Sequence, residues 1–252
     1  MKCSTEKCEL DAMLGGRCLA HHLEMLNALR AENRAAYDRS EAKRALTQIK
    51  GLKDLSDKCE EYAPGEEIQT MRIDDRYFVS SNWRTQSDAL NTDTNKANVA
   101  RLFETSASRV SHANTPKNAA ARPPGSFKVL IIQGQAIGSA KLHAEQNLLL
   151  TLAYRLRGDD VPRGFLAVAG KKVPCLCCRK TLQAFAGALL ATYDVDLHYN
   201  KAETNPDGSP AKGAVVGLTP LSLDDVLTGD PKEPAAAFKT FVADYKARLA
   251  SL

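Results

Sequence analysis

The apolar positions along this chain change period several times, and each change predicts an element. In LAHHLEMLNALRAENRAAYDRSEAKRALTQIK (19–50), Leu19, Leu23, Leu26 and Leu29 recur at spacings of three and four, which marks one face of a helix. Beyond Leu29 the face thins and charges of both signs alternate, as on a solvated helix; Gly51 is a natural stop. A loop at PGE (64–66) is followed by the first clear strand, Arg76 to Ser81, inside MRIDDRYFVSSNWRT. Residues 87–126 are polar, with one helix-like segment near 96–106 and a turn-rich end, NTPKNAAARPPGS.

The second half is more regular. FKVLIIQG (127–134) is an apolar run closed by glycine and reads as a buried strand. In LHAEQNLLLTLAYRLRG (142–158), Ala144, Leu148, Leu152 and Leu156 repeat every four residues with Leu149 beside them, a helix. GFLAVAG (164–170) is a second buried strand. PCLCCRKTLQAFAGALL (174–190) is a helix with proline at its first turn, YDVDLHYN (193–200) a third strand and KAETNPDGSPAKG (201–213) a loop. Two short helices are expected to close the chain. Strands alternating with helices predict an α/β layered sheet. No internal repeat is visible.

Composition adds bounds to this pattern. The 252 residues, 44% hydrophobic and 25% charged, suffice for one ordinary domain with an appendage or for two small ones. No apolar run approaches the roughly 18–20 residues of a membrane span, and MKCSTEKCELD lacks the apolar core of a signal peptide. The expected location is therefore the cytoplasm, with delivery to another cell if the protein is an effector. A net charge of +4 permits a nucleic-acid partner without demanding one. Seven cysteines are an odd and sparse count for a disulfide scaffold, so clustered thiols read better as metal ligands or redox groups.

The clustering is sharpest at KVPCLCCRK, where Cys175, Cys177 and Cys178 fall within four positions. Upstream stands LHAEQ, with His143 and Glu145. One imidazole and two thiolates make a three-ligand zinc site whose fourth position stays open to water. Zinc lowers the pKa of that water toward neutrality, and a carboxylate that does not bind the metal can move protons, the role Glu145 is placed for. Inside a regular helix, residues two apart point about 200° apart. His143 and Glu145 can therefore converge only at a first turn, where the chain bends in from a loop. Cys175 and Cys178 are one turn apart on the same face, whereas Cys175 with Cys177 makes a poor pair. Cys177 is then a spare thiol, either behind the ligands or simply buried. Helix N-termini at both places favour thiolate and other negative charge.

H-A-E followed by P-C-x-x-C resembles the active site of the zinc-dependent nucleobase deaminases, the cytidine deaminase-like superfamily. The resemblance covers about residues 70–200, including the strand–helix–strand–helix–strand order. It implies a three-layer cytidine deaminase-like sheet with helices on both faces. It also implies a catalytic zinc on His143, Cys175 and Cys178, with Glu145 activating water and protonating the leaving amine and Pro174 setting the second helix start. The implied reaction is hydrolytic deamination of a nucleobase, cytosine favoured over adenine, on single-stranded DNA or RNA. A free nucleoside or nucleotide substrate, with 87–126 as a lid, is the alternative. A zinc-stabilised nucleic-acid-binding or regulatory protein without turnover is the third reading. HAEQNLL looks more like bacterial effector or toxin-type deaminases than housekeeping ones. Oligomers are possible in this class, and no interface is legible here.

The head of the chain carries a second pattern, Cys3-x4-Cys8-x9-Cys18-x2-His21, with Gly16 before the last pair. Four ligands close a tetrahedron, so this reads as a structural zinc site. It resembles small C-x4-C…G-x-C-x2-H modules that accompany nucleic-acid-handling domains, and that spacing favours His21 over His22. With both sites filled, only Cys59 and Cys177 lie outside the metal shells. The domain reading is thus a Cys3His zinc module at 1–24, a helical linker at 25–62 and a deaminase-like catalytic domain at 63–252.

Weaker signals remain. Asn82 ends the 76–81 strand, where deaminases often place an asparagine on the sugar; an ordinary strand-end turn is the competing reading. Trp83, the only tryptophan, is a candidate to stack on a base or to pack. His198 alternates on a strand and reads as structural. Arg179 and Lys180 read as a solvated helix face that a phosphate can approach.

Overall fold

A computed structural model of the protein describes residues 46–47, 49–64, 67–73, 76–82, 84–102, 128–132, 136–137, 140–162, 166–202, 204–205, 209–211, 213, 215, 218–229 and 233–252. The chain divides into two compact units, Met1–Thr47 and Gln48–Leu252, and the elements below belong to the second. Cys3, Cys8, Cys18, His21 and the leucine face of Leu19–Leu29 lie outside the described residues.

In chain order the second unit has helix α1 (49–59), strands β1 (Ile68–Ile73) and β2 (Arg76–Ser81), and helices α2 (Arg84–Leu90) and α3 (93–102). Strand β3 (Lys128–Ile132) follows, then the small hairpin β4 (Ala136–Ile137) and β5 (Ala140–Lys141). The last part holds α4 (Ala144–Arg157), β6 (Leu166–Gly170), α5 (Leu176–Tyr193), β7 (Leu197–Tyr199), α6 (Asp224–Thr228) and α7 (Ala236–Ala250). Five strands form one mixed sheet in the order β3-β2-β1-β6-β7. β2 and β6 each run antiparallel to β1, while β3 is parallel to β2 and β7 to β6. β1 therefore runs against the other four strands of this sheet, and its amino end lies with their carboxyl ends.

Alternation along the strands sends side chains to two cores. Phe78 of β2 and Leu166 and Val168 of β6 join the core built with α4, α5 and α7, around Leu148, Leu152, Phe185 and Phe241. Tyr77, Val79, Ala167 and Ala169 join the opposite core with Leu52, Leu55 and Cys59 of α1, Leu90 of α2 and Val99 of α3. The expected α/β layered arrangement, with helices on both faces of a sheet, is what these residues build.

Several elements differ from the sequence expectation. β1 was not anticipated, because IQTMRI mixes apolar and polar positions. Gln69 and Thr70 are nevertheless fully buried, and Thr70 Oγ1 lies 3.0 Å from both the Leu52 and the Ala169 carbonyl, which share its one proton. β3 is an edge strand, not a buried one, with Leu130 43% exposed. The polar stretch after Ser87 opens with two helices that contribute Leu90 and Val99 to the core. α5 runs through Tyr193 and stops at Asp194, whose φ of 54° is left-handed, so the third expected strand shrinks to Leu197–Tyr199. Of the two closing helices only α6 is short; α7 has 15 residues. α7 packs its aromatic side against α5, with the Phe185 and Phe241 rings 4.9 Å apart and edge to face.

Candidate metal centre

α4 and α5 both begin at the end of the sheet where β2 and β6 finish. His143 is the N-cap of α4, with extended backbone (φ −76°, ψ 163°), and Cys175 is the N-cap of α5 (φ −62°, ψ 167°). Neither side chain therefore belongs to the helical spiral, which is how H-x-E places its two groups at one site. Pro174 stands one residue before the N-cap, outside the helix, and not in the first turn as the sequence implied. Cys178 is the third residue of α5, and an N-cap side chain and the third helical residue meet across the first turn.

These three residues converge. His143 Nδ1 lies 3.7 Å from Cys175 Sγ and 3.6 Å from Cys178 Sγ. All three donor atoms lie within 4.8 Å of one another, close enough to hold one metal ion. Zinc bonds of about 2.3 Å to sulfur and about 2.0–2.1 Å to nitrogen, set at a tetrahedral angle, put neighbouring S and N donors about 3.5–3.6 Å apart. The measured separations match those edges, so the donor set fits a tetrahedral ion with one position left over. Cys175 and Cys178 are buried and His143 is half-buried.

Contact with Cys178 and the imidazole of His143 hold Cys175 down to about 4 against the effect of burial. The same contact and burial push Cys178 up. Glu145, 4% exposed, is pushed up by burial, and its Oε2 has no hydrogen-bond partner. Cys177 is outside the donor set. It belongs to a small cluster with Cys175 and Cys178 against which Val215 and Leu218 pack, and burial pushes it up to about 11.

The scaffold that aims these groups includes residues the sequence did not single out. Gln146 Oε1 accepts from the His143 N–H at 3.2 Å, while its Nε2 donates to the Thr219 carbonyl at 2.7 Å and approaches Cys177 Sγ at 3.9 Å. Asn205 Oδ1 accepts from the Val173 N–H at 3.0 Å, two residues before Cys175. Thr181 Oγ1 bonds the Cys177 carbonyl at 3.0 Å and receives the Leu221 N–H at 3.4 Å. Tyr245 of α7 donates to the Leu221 carbonyl at 2.7 Å. Glu67, just before β1, is a second buried carboxyl at this end of the sheet. A glutamate directly after an expected loop carries no local signal of burial.

Of the weaker candidates, Asn82 is half-buried, and its Oδ1 accepts from the Ala144 N–H at 2.8 Å, capping α4 beside His143. Trp83 lies outside the described residues. Lys180 Nζ donates to the Leu252 carbonyl at 2.8 Å. His198 Nε2 lies 3.7 Å from Asp196 on the β7 edge. Comparison with family models, with curated proteins and with solved structures finds no match.

Proposed function

We propose that the protein is a zinc-dependent nucleobase deaminase acting on cytosine in a single-stranded polynucleotide. The observation that carries this reading is the convergence of His143, Cys175 and Cys178 from two helix N-termini, with the buried Glu145 carboxyl next to them. A closed structural site uses four protein ligands; here three converge among the described residues, and Glu145, a buried carboxyl with an unpartnered oxygen, is not one of them.

In this reading His143 Nδ1 and the two thiolates hold the metal. A bound zinc ion acidifies water and so supplies a nucleophile at neutral pH. Glu145 would take a proton from water as it adds to the ring carbon bearing the amine and would return that proton to the amine, which leaves as ammonia while a carbonyl remains. Burial keeps Glu145 easy to protonate, as a group that must return its proton requires. The two helix N-termini favour the thiolates and the negative charge that develops during attack. The positive net charge supports a polyanionic substrate, whose base must be unpaired or flipped to reach the site.

The test is one assay of the purified chain against single-stranded DNA, duplex DNA, RNA and free nucleosides and nucleotides. Mass spectrometry reads the gain of about one dalton when amine becomes carbonyl. Conversion of a cytosine-containing single strand, abolished in Glu145→Ala with zinc still bound, is the expected result. Conversion of free nucleosides alone moves the substrate class. Conversion of nothing by zinc-loaded protein overturns the enzymatic reading in favour of a binding role.

A further inference from the structure

Glu67 stands at the amino end of β1, in the row formed by the ends of β2 and β6. Its backbone carbonyl accepts the Asn82 N–H at 3.3 Å, and Asn82 in turn caps α4. Its side chain is 5% exposed. One oxygen, Oε1, is fully used: it accepts from Gln69 Nε2 at 2.8 Å and from the Lys172 N–H at 3.1 Å. The other, Oε2, is buried and has no partner.

The surroundings are built to hold this arrangement. Gln69 pairs across the sheet with Gly170, and a Cβ at Gly170 would fall 2.3 Å from Gln69 Nε2. The bare glycine is what lets the Gln69 amide lie over the end of β6 and reach Glu67. Lys172 belongs to the loop that runs into Cys175. The network thus ties Glu67 to β1, to β6 and to the ligand-bearing loop through one oxygen only. A glutamine would serve that structural purpose equally well, so the spare oxygen calls for another explanation.

Its chemistry follows from the contacts. With both lone pairs of Oε1 engaged by N–H donors, a proton on this carboxyl sits on Oε2, which makes Oε2 a donor. Burial pushes Glu67 up to about 8, and the nearby Glu145 charge adds to the rise, against the Lys172 N–H that lowers it. A buried carboxylic acid kept neutral so that it can donate is an established device of active sites.

We infer that Glu67 contacts the substrate in this site, donating a hydrogen bond from Oε2 to the 2-carbonyl oxygen of the cytosine ring. The inference rests on the deaminase reading for its choice of ring. In that reading Glu145 serves the amine, and the 2-carbonyl is an acceptor on the same edge of the ring for a second donor. Adenine has no carbonyl, so a donor here selects cytosine against adenine.

The experiment compares Glu67→Gln, whose amide places a donor where the acid hydroxyl stood, with Glu67→Met, which has similar bulk and no donor. Both are made in a zinc-loaded Glu145→Gln background so that binding is read without turnover. The probes are two single-stranded oligonucleotides, identical except for one cytosine replaced by an abasic site. The expected result is that the preference for the cytosine strand falls about 10- to 100-fold in the methionine variant and less than about 10-fold in the glutamine variant. Infrared difference spectra of the Glu67-containing protein against Glu67→Gln should show the carbonyl stretch of an un-ionised carboxyl at neutral pH. Equal loss in both variants, an unchanged preference in the methionine variant, or absence of that band overturns the inference. A cytosine preference that depends on Glu67 in a protein whose native form deaminates nothing sinks the deaminase reading while upholding the contact.

Discussion

Cys177 sits between two ligands in sequence and outside the donor set in space, because it is the second residue of α5 and points about 100° around the helix from Cys178, while Cys175 is the N-cap. The choice of Cys175 with Cys178 was legible from spacing alone, and so was Glu145 as the carboxyl beside them. Glu67 was not, since its burial depends on strands and loops far apart in the chain. It also carries a prediction about stability. Its carboxyl is raised from an ordinary 4.5 to about 8 by burial, with Glu145 and Glu60 adding to the rise and Lys172 opposing it. Between those two pH values the unfolded chain has lost the proton and the folded chain keeps it. This group's stability is therefore fully present below about 4.5 and is lost as pH climbs to about 8. Glu67→Gln does not titrate, so its melting temperature should gain on that of the wild type as pH rises through this window, read by thermal melts across buffers. A constant difference between the two would show that Glu67 is ionised in the folded protein.

At the scale of elements, two helix starts do most of the positioning. α4 and α5 each take a ligand as N-cap, and the periodicities of Leu148, Leu152 and Leu156 and of the 174–190 segment were enough to place both helices. What periodicity does not show is how the first turn of α4 is held. Asn82, sixty-two residues upstream of Ala144, caps it from the end of β2. A candidate for sugar contact thus has a structural bond of its own, and its amide nitrogen is a separate group. Asn82→Ala should cost about 1 kcal/mol of stability, the usual loss of a helix cap, and should lower zinc affinity by loosening His143, read by urea melts and by competition with a chromogenic chelator. A variant with full stability and full affinity would mean that the cap is redundant. β1 failed to announce itself for a related reason. Its Gln69 and Thr70 look like surface residues in sequence, and only the bonds to Glu67, Leu52 and Ala169 make their burial tolerable.

At the scale of the whole second unit, the sheet separates two cores, and the site lies at the end where helices and strand ends meet. The larger core reaches the site through a chain of bonds from Tyr245 to Leu221, from Leu221 to Thr181 and from Thr181 to the Cys177 carbonyl. Phe241, fully buried between Phe185, Phe238 and Tyr245, is the keystone of α7 packing. Phe241→Ala should destabilise the protein by about 3–5 kcal/mol, measured by denaturant unfolding. The loss should exceed that of Asn82→Ala, because a large cavity outweighs one cap. Among the described residues no helix is long and apolar enough to cross a membrane.

The sequence by itself determined the α/β class, the two helices of the site and the identity of the three converging donors. Those features are local: a four-residue apolar repeat, a proline before a helix, and ligands three apart at a helix start. Tertiary structure alone decided that β1 lies at the centre of the sheet, that β3 is an edge, that Asn82 caps α4, and that Glu67 shares the buried end of the sheet with Glu145. Each of these depends on which strands pair and on which polar groups find partners across long separations. Hydrophobic period along the chain carries no record of that.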